Sequence, residues 1–223
     1  MRGPGMTADR TMSYRLAIFD FDGTLADSFP WFTGVINDTA DKFRFRRVEP
    51  DEIDGLRGKS SREMMQILGV SAWKLPFIAR YIRKRKAQDL AGIPLFAEAS
   101  SALGRLHEAG VTLAIVSSNS EANIRKMFGP DTARLIAYYE CGSSLHGKAK
   151  RFRKVLRKSG FATHEAIAIG DELRDIDAAR EAGIAFGAVT WGYTHGAAMK
   201  AAGPDFAFEA FDAMVQIIAG AAR

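Results

Sequence analysis

The sequence predicts an α/β protein: a parallel sheet covered by helices, with a small all-helical segment inserted after the first strand. Three observations predict it. Short apolar runs without alternation, such as Leu16 to Phe19, read as strands buried on both faces. From Glu98 onward such runs alternate with helical periodicities, which implies right-handed βαβ units. Between the first run and the next, about seventy residues show helical spacing only.

The elements follow in order. After Leu16 to Phe19, the positions Phe29, Phe32, Ile36, Ala40 and Phe43 recur at helical spacing, widened by Trp31 and Val35. Glu49-Pro50-Asp51-Glu52 opens a short helix that Gly55 ends, and Ser60 or Ser61 caps another that stops at Gly69. A longer helix spans about Ala72 to Leu90, and Pro94 closes the segment. A helix to Gly110 precedes a second strand, Val111 to Val116, and a helix from Glu121 stops at Gly129-Pro130. Leu135 to Tyr139, Ala166 to Ile169 and Ala185 to Thr190 read as strands three to five, with helices between them and two helical stretches after the loop Trp191-Gly192-Tyr193. The division is therefore a tail (1–13), a core (14–26 and 94–223) and a helical cap (27–93). No internal repeat or low-complexity segment is present.

At 223 residues, 47% hydrophobic and 26% charged, the chain has the make-up of a globular protein, and no stretch approaches the roughly 18 apolar residues of a membrane span. Met1 to Ser13 lacks an apolar leader core and reads as a flexible tail. Cys141 is the sole cysteine, so no internal disulfide forms and a cytoplasmic location is expected. The net charge of +5 is concentrated in Arg83 to Lys86 and in Lys148 to Lys158. Without interleaved aromatics these runs read as solvated helix faces, not as a nucleic-acid footprint. Their field still favours a phosphorylated partner.

The chemistry starts at Leu16 to Leu25, L-A-I-F-D-F-D-G-T-L. Asp20 and Asp22 stand where a buried parallel strand ends, the place at which open α/β sheets hold ligands. Two anions this close repel unless a cation lies between them, which points to a hard metal such as Mg²⁺. Gly23 permits the turn and Thr24 offers a hydroxyl.

This string resembles the first motif, D-x-D-G-T, of the haloacid dehalogenase-like (HAD) hydrolases, in the branch of phosphoglycolate phosphatase and β-phosphoglucomutase. Further matches follow at Ser117, at Lys148 and at Gly170-Asp171 with Asp175, so the resemblance runs from Leu16 to about Thr190. It implies a Rossmann-like core with a helical cap and a set of roles. Asp20 is the implied nucleophile and Asp22 the general acid and base. Gly23, Thr24, Ser117, Ser118, Asn119 and Lys148 are the implied phosphate-binding residues. Mg²⁺ is expected on Asp20, the Asp22 carbonyl and Asp171, with Asp175 behind them. The family's usual Pro after the lysine is replaced by Ala149.

Asp22 separates this chain from dehalogenases, which carry Tyr there. Arg57, Gly58 and Lys59 fall where such caps lower a specificity loop and are the expected substrate-binding residues. Glu172, Arg174 and Asp177 read as surface residues; His107, His146, His164 and His195 show no ligand spacing and read as structural or surface residues. The expected activity is Mg²⁺-dependent hydrolysis of a small phosphomonoester, phosphoglycolate-like, by a monomer or homodimer. The alternatives are a phosphomutase and a polyanion-binding module on an inactive core.

Overall fold

The computed structural model describes residues 14–59, 61–142 and 147–220. Six strands form one parallel sheet in the order β3-β2-β1-β4-β5-β6. They are β1 (Leu16–Phe19), β2 (Thr112–Ser117), β3 (Ile136–Cys141), β4 (Ala166–Gly170), β5 (Ala185–Val189) and β6 (Phe206–Phe208). The period of two along β1 explains both helical layers. Ala17 and Phe19 point into one cluster, beneath α5 (Ala99–Glu108), α6 (Glu121–Ala133) and α10 (Phe211–Ala219). Leu16 and Ile18 point into the other, beneath α7 (Lys148–Ser159), α8 (Leu173–Ala182) and α9 (Gly196–Ala201). Phe19 is fully buried, so truncating it to Ala would cost about 3–5 kcal/mol.

The sixth strand corrects the expected count of five. It pairs with β5 through Gly187↔Phe206, and Gly187 is required there because a Cβ would overlap the Phe208 ring. The third strand also runs later than expected, ending at Cys141. Gly129 leaves helical geometry at φ 70°, as its sequence suggests, but Pro130 starts a further turn that completes α6.

Between β1 and α5 lie α1 (Phe29–Phe43), α2 (Ile53–Leu56), α3 (Ser61–Leu68) and α4 (Leu75–Gln88), joined by short 3-10 turns. Gly55 lies inside α2 instead of ending it, Ser61 is the first residue of α3, and Ser60 is outside the described residues. Lys74 donates to the carbonyls of Phe43 and Arg44 at 2.8 and 3.3 Å, capping the end of α1 with a cation where the helix dipole is negative. The two ends of this helical insertion meet. Ala26 and Leu95 form an antiparallel bridge, Asp27 N–H donates to the Pro94 carbonyl, and Phe96 N–H donates to the Leu25 carbonyl. The expected tail, 1–13, lies outside the described residues.

Candidate active site

Register brings the polar residues together. Phe19 of β1 lies between Ile115 of β2 and Ile169 of β4, so the residues just beyond these partners converge at one edge. Asp20, Ser117 and Asp171 come from three adjacent strands, at the point where the strand order reverses direction. All three are buried.

Lys148, the first residue of α7 after Gly147 in the left-handed region, places Nζ 2.7 Å from Asp20 Oδ2 and 2.6 Å from Asp175 Oδ1. Burial alone would raise the Asp20 carboxyl, but the Lys148 ammonium outweighs it and holds Asp20 below the usual carboxylate range. Burial would likewise lower Lys148, and its two carboxylate neighbours raise it instead. Asp20 is thus held as a carboxylate and Lys148 as an ammonium.

Asp20, Asp171 and Asp175 each offer an oxygen within 4.8 Å of the others. Three buried carboxylates crowd around the Lys148 ammonium, and Arg174, the second cation that acts on them, is itself paired with Glu172. Burial first, then repulsion from Glu172, Asp20 and Asp175, pushes Asp171 well above its usual value. Burial pushes Asp175 up to about 7 despite Lys148, and its Oδ2 has no hydrogen-bond partner among the described residues. Hard oxygen donors that repel one another strongly enough to push Asp171 and Asp175 up fit a divalent cation between them. Asp171 is cradled closely, since a Cβ on Gly23 or Gly192 would overlap it. Its oxygens are oriented by Thr24 Oγ1, which donates to Oδ1 at 2.8 Å, and by Tyr193 N–H, which donates to Oδ2 at 2.8 Å.

Asp22 points elsewhere. Its Oδ1 accepts from Lys86 Nζ at 2.6 Å and its Oδ2 from Asn119 Nδ2 at 3.4 Å. Asn119 is fixed in turn through its Oδ1, which accepts from Ser120 N–H and Asn123 Nδ2. Asp20, Ser117, Ser118 and Lys148 line one cavity of 170 Å³ together with Arg174. Arg174 also borders a larger, mainly apolar chamber of 390 Å³ between the insertion and the core, to which Phe32, Met65, Tyr193, Arg57 and Lys59 contribute.

Several residues differ from their sequence reading. Lys86 is buried at 6% exposure, not part of a solvated face. Arg174 and Glu172 are half-buried, joined at 2.5 Å, and the Arg174 charge acts on Asp20; Asp177 is exposed, as expected. Arg57 donates through Nε to the Tyr193 carbonyl (3.1 Å) and through Nη2 to the Gly192 carbonyl (2.7 Å), and its guanidinium lies over the Phe29 ring. It therefore joins the insertion to the loop that orients Asp171, while Gly58 and Lys59 are exposed. The sequence marks Trp191-Gly192-Tyr193 as a loop without showing its role; its place beyond a strand's carboxyl end is the available signal. In the second basic run, Lys154 and Lys158 pair with Glu140, and Arg151 donates to the carbonyls of Ser117 and Gly142. His107 and His164 are exposed, His195 Nε2 lies 2.9 Å from Asp54, and His146 is outside the described residues.

The chain has relatives in both sequence and fold. Residues 17–189 match the haloacid dehalogenase-like hydrolase family, and the chain belongs to it. Within that family it is 30% identical over 202 residues to a phosphoglycolate phosphatase from Synechococcus elongatus, covering 90% of this chain and 95% of the relative. The fold also matches a haloacid dehalogenase-like hydrolase from Streptococcus pneumoniae (TM-score 0.74, 23% identity, 92% of this chain and 98% of that one). CbbY from Rhodobacter sphaeroides, solved in complex with phosphate, matches with a TM-score of 0.68 at 21% identity, over 89% of this chain and 95% of that one. No helix among the described residues is long and apolar enough to cross a membrane.

Proposed function

We propose that this chain is a Mg²⁺-dependent phosphatase that hydrolyses a small phosphomonoester of the phosphoglycolate kind, residues 27–93 forming a cap over the core. The observation that carries the reading is the division of labour between two carboxylates two residues apart. Asp20 is held ionised by Lys148 inside the acidic cluster, whereas the Asp22 side chain faces away from that cluster, toward the cap. Asp20 attacks phosphorus and becomes an aspartyl-phosphate as the ester oxygen leaves. Asp22 gives that oxygen a proton and then takes one from the water that attacks the phosphoryl group. Ser117, Ser118 and Asn119 donate to the phosphoryl oxygens and Lys148 offsets their charge, whereas the Gly23 N–H is taken by the Ala26 carbonyl and the Thr24 hydroxyl by Asp171, so that turn, expected to bind phosphate, shapes the site instead.

Asp20, Asp171 and the Asp22 carbonyl would hold the ion, with Asp175 behind them. When bound, Mg²⁺ supplies Lewis-acid charge compensation at the phosphoryl group. Arg57 and Lys59 border the chamber assigned to the rest of the substrate.

The test is phosphate release from phosphoglycolate with Mg²⁺, followed by borohydride reduction during turnover. Conversion of Asp20 to homoserine, found by peptide mass, is the expected result. Activity without any modification of Asp20 would refute the intermediate. Release of phosphate without a sugar bisphosphate separates hydrolysis from a mutase reaction.

A further inference from the structure

Lys86 is the one cation of the cap that reaches the catalytic carboxylates among the described residues. Ile78, Ile82 and Lys86 recur every fourth residue on one face of α4, so helix phase carries a lysine into an apolar position. Its ammonium lies 5.1 Å from the Trp31 ring centroid, and Trp31 is fixed by its own Nε1, which donates to Asp89 Oδ2 at 3.0 Å. Burying an ammonium is unfavourable unless partners meet it. An ammonium has three N–H donors, and among the described residues Asp22 accepts one of them. The other cations nearby are engaged or remote: Arg57 is bound to the Gly192 and Tyr193 carbonyls, Arg174 is paired with Glu172, and Lys59 and Arg62 are exposed.

Asp22 must meet the ester oxygen of the leaving group, so a leaving group in that position comes within reach of Lys86. We propose that Lys86 is a specificity-determining residue. Its ammonium binds a carboxylate carried by the leaving alcohol on the carbon next to the ester, sharing its donors between that carboxylate and Asp22. The Trp31 ring covers one side of the ammonium, and exclusion of water there strengthens the pairing. The inference rests on the phosphatase reading and narrows it to phosphorylated 2-hydroxy acids.

The experiment compares phosphoglycolate with 2-hydroxyethyl phosphate, in which a hydroxymethyl group replaces the carboxylate, using the full chain with Mg²⁺. The wild type is expected to favour phosphoglycolate in kcat/KM by at least about tenfold, the worth of one charged hydrogen bond. Lys86→Met removes the charge and also takes from Asp22 its ion-pair partner, leaving it Asn119 alone, so both esters lose rate; the diagnostic is the ratio between them. That ratio should fall by about 10- to 100-fold, mainly through KM for phosphoglycolate, and Lys86→Arg should keep most of it. An unchanged ratio in Lys86→Met overturns the proposal and leaves Lys86 a partner of Asp22 alone. Equal use of both esters by the wild type overturns it too, with no variant needed. If the wild type hydrolyses neither these esters nor nitrophenyl phosphate, the phosphatase reading fails and the proposal falls with it.

Discussion

Thr24 Oγ1 donates to Asp171 Oδ1 at 2.8 Å, joining the loop after β1 to the loop after β4. With Tyr193 N–H on its other oxygen, Asp171 is held in a single orientation. Groups that orient a metal ligand typically matter 10- to 100-fold in affinity. Thr24→Val, which keeps the shape and loses the donor, should weaken Mg²⁺ binding by about tenfold, and Asp171→Asn by far more. Titration calorimetry and the Mg²⁺ concentration for half-maximal activity both measure this. Unaltered affinity in Asp171→Asn would remove that carboxylate from the metal site.

The roles of Asp20 and Asp22 separate with a nitrophenyl ester, whose leaving group departs without a proton. Asp22→Asn should slow steady turnover by about 10²–10⁴-fold yet release a burst of nitrophenolate near one equivalent per enzyme, because the phosphoryl-enzyme forms and then waits for a base. Asp20→Asn should give no burst. Stopped-flow absorbance distinguishes the two, and a reversed pattern would exchange the assignments.

Arg57 and Lys59 should behave differently despite being neighbours. Arg57 holds the Gly192 and Tyr193 carbonyls, and through that loop the orientation of Asp171. Arg57→Ala is therefore expected to lower kcat/KM about tenfold on every ester and to cost about 1–3 kcal/mol of stability. Lys59→Ala should affect only esters whose leaving group extends into the larger chamber. Steady-state kinetics on phosphoglycolate and nitrophenyl phosphate, with thermal melts, check both statements.

Acid sensitivity should be visible at Glu140, away from the active site. Burial would raise this carboxyl, but Lys154 and Lys158, at 2.7 and 2.6 Å, hold it below its usual value of 4.5. A depressed folded-state value gives stability that is present above pH 4.5 and is lost as pH falls through the folded value. Glu140→Gln should cost about 1 kcal/mol near pH 7, with the difference from wild type shrinking under acid. Chemical unfolding at neutral and acid pH measures it; a difference independent of pH would refute the ion pair's contribution.

What the sequence made legible was chemistry packed into contiguous strings. Leu16 to Phe19 announces a strand by its composition alone, and Asp20, Asp22, Asp171 and Asp175 stand at fixed offsets from such runs, so register does the rest. Lys86 has no such local mark. It is one of four consecutive cations, and its burial depends on the phase of α4 and on packing against residues far off in the chain. The i, i+4 row Ile78, Ile82, Lys86 was the available signal. Arg174 resembles any helical surface residue until α8 is packed against β4, which brings its charge to Asp20. The β6 strand is three residues long, and so short a run carries too little periodicity to separate it from a loop.

The bridge between Ala26 and Leu95 closes the sixty-odd intervening residues into a lobe whose entry and exit touch. A turn of a few residues could replace that lobe without moving β1 or α5, since closing the gap requires almost no chain. Such a segment is exchangeable as a cassette. A lineage that grafts a foreign helical lobe at this junction keeps the sheet and its acidic cluster, and must resupply the grip of Arg57 on the 192–193 loop and of Lys86 on Asp22 while it changes which leaving group is welcomed.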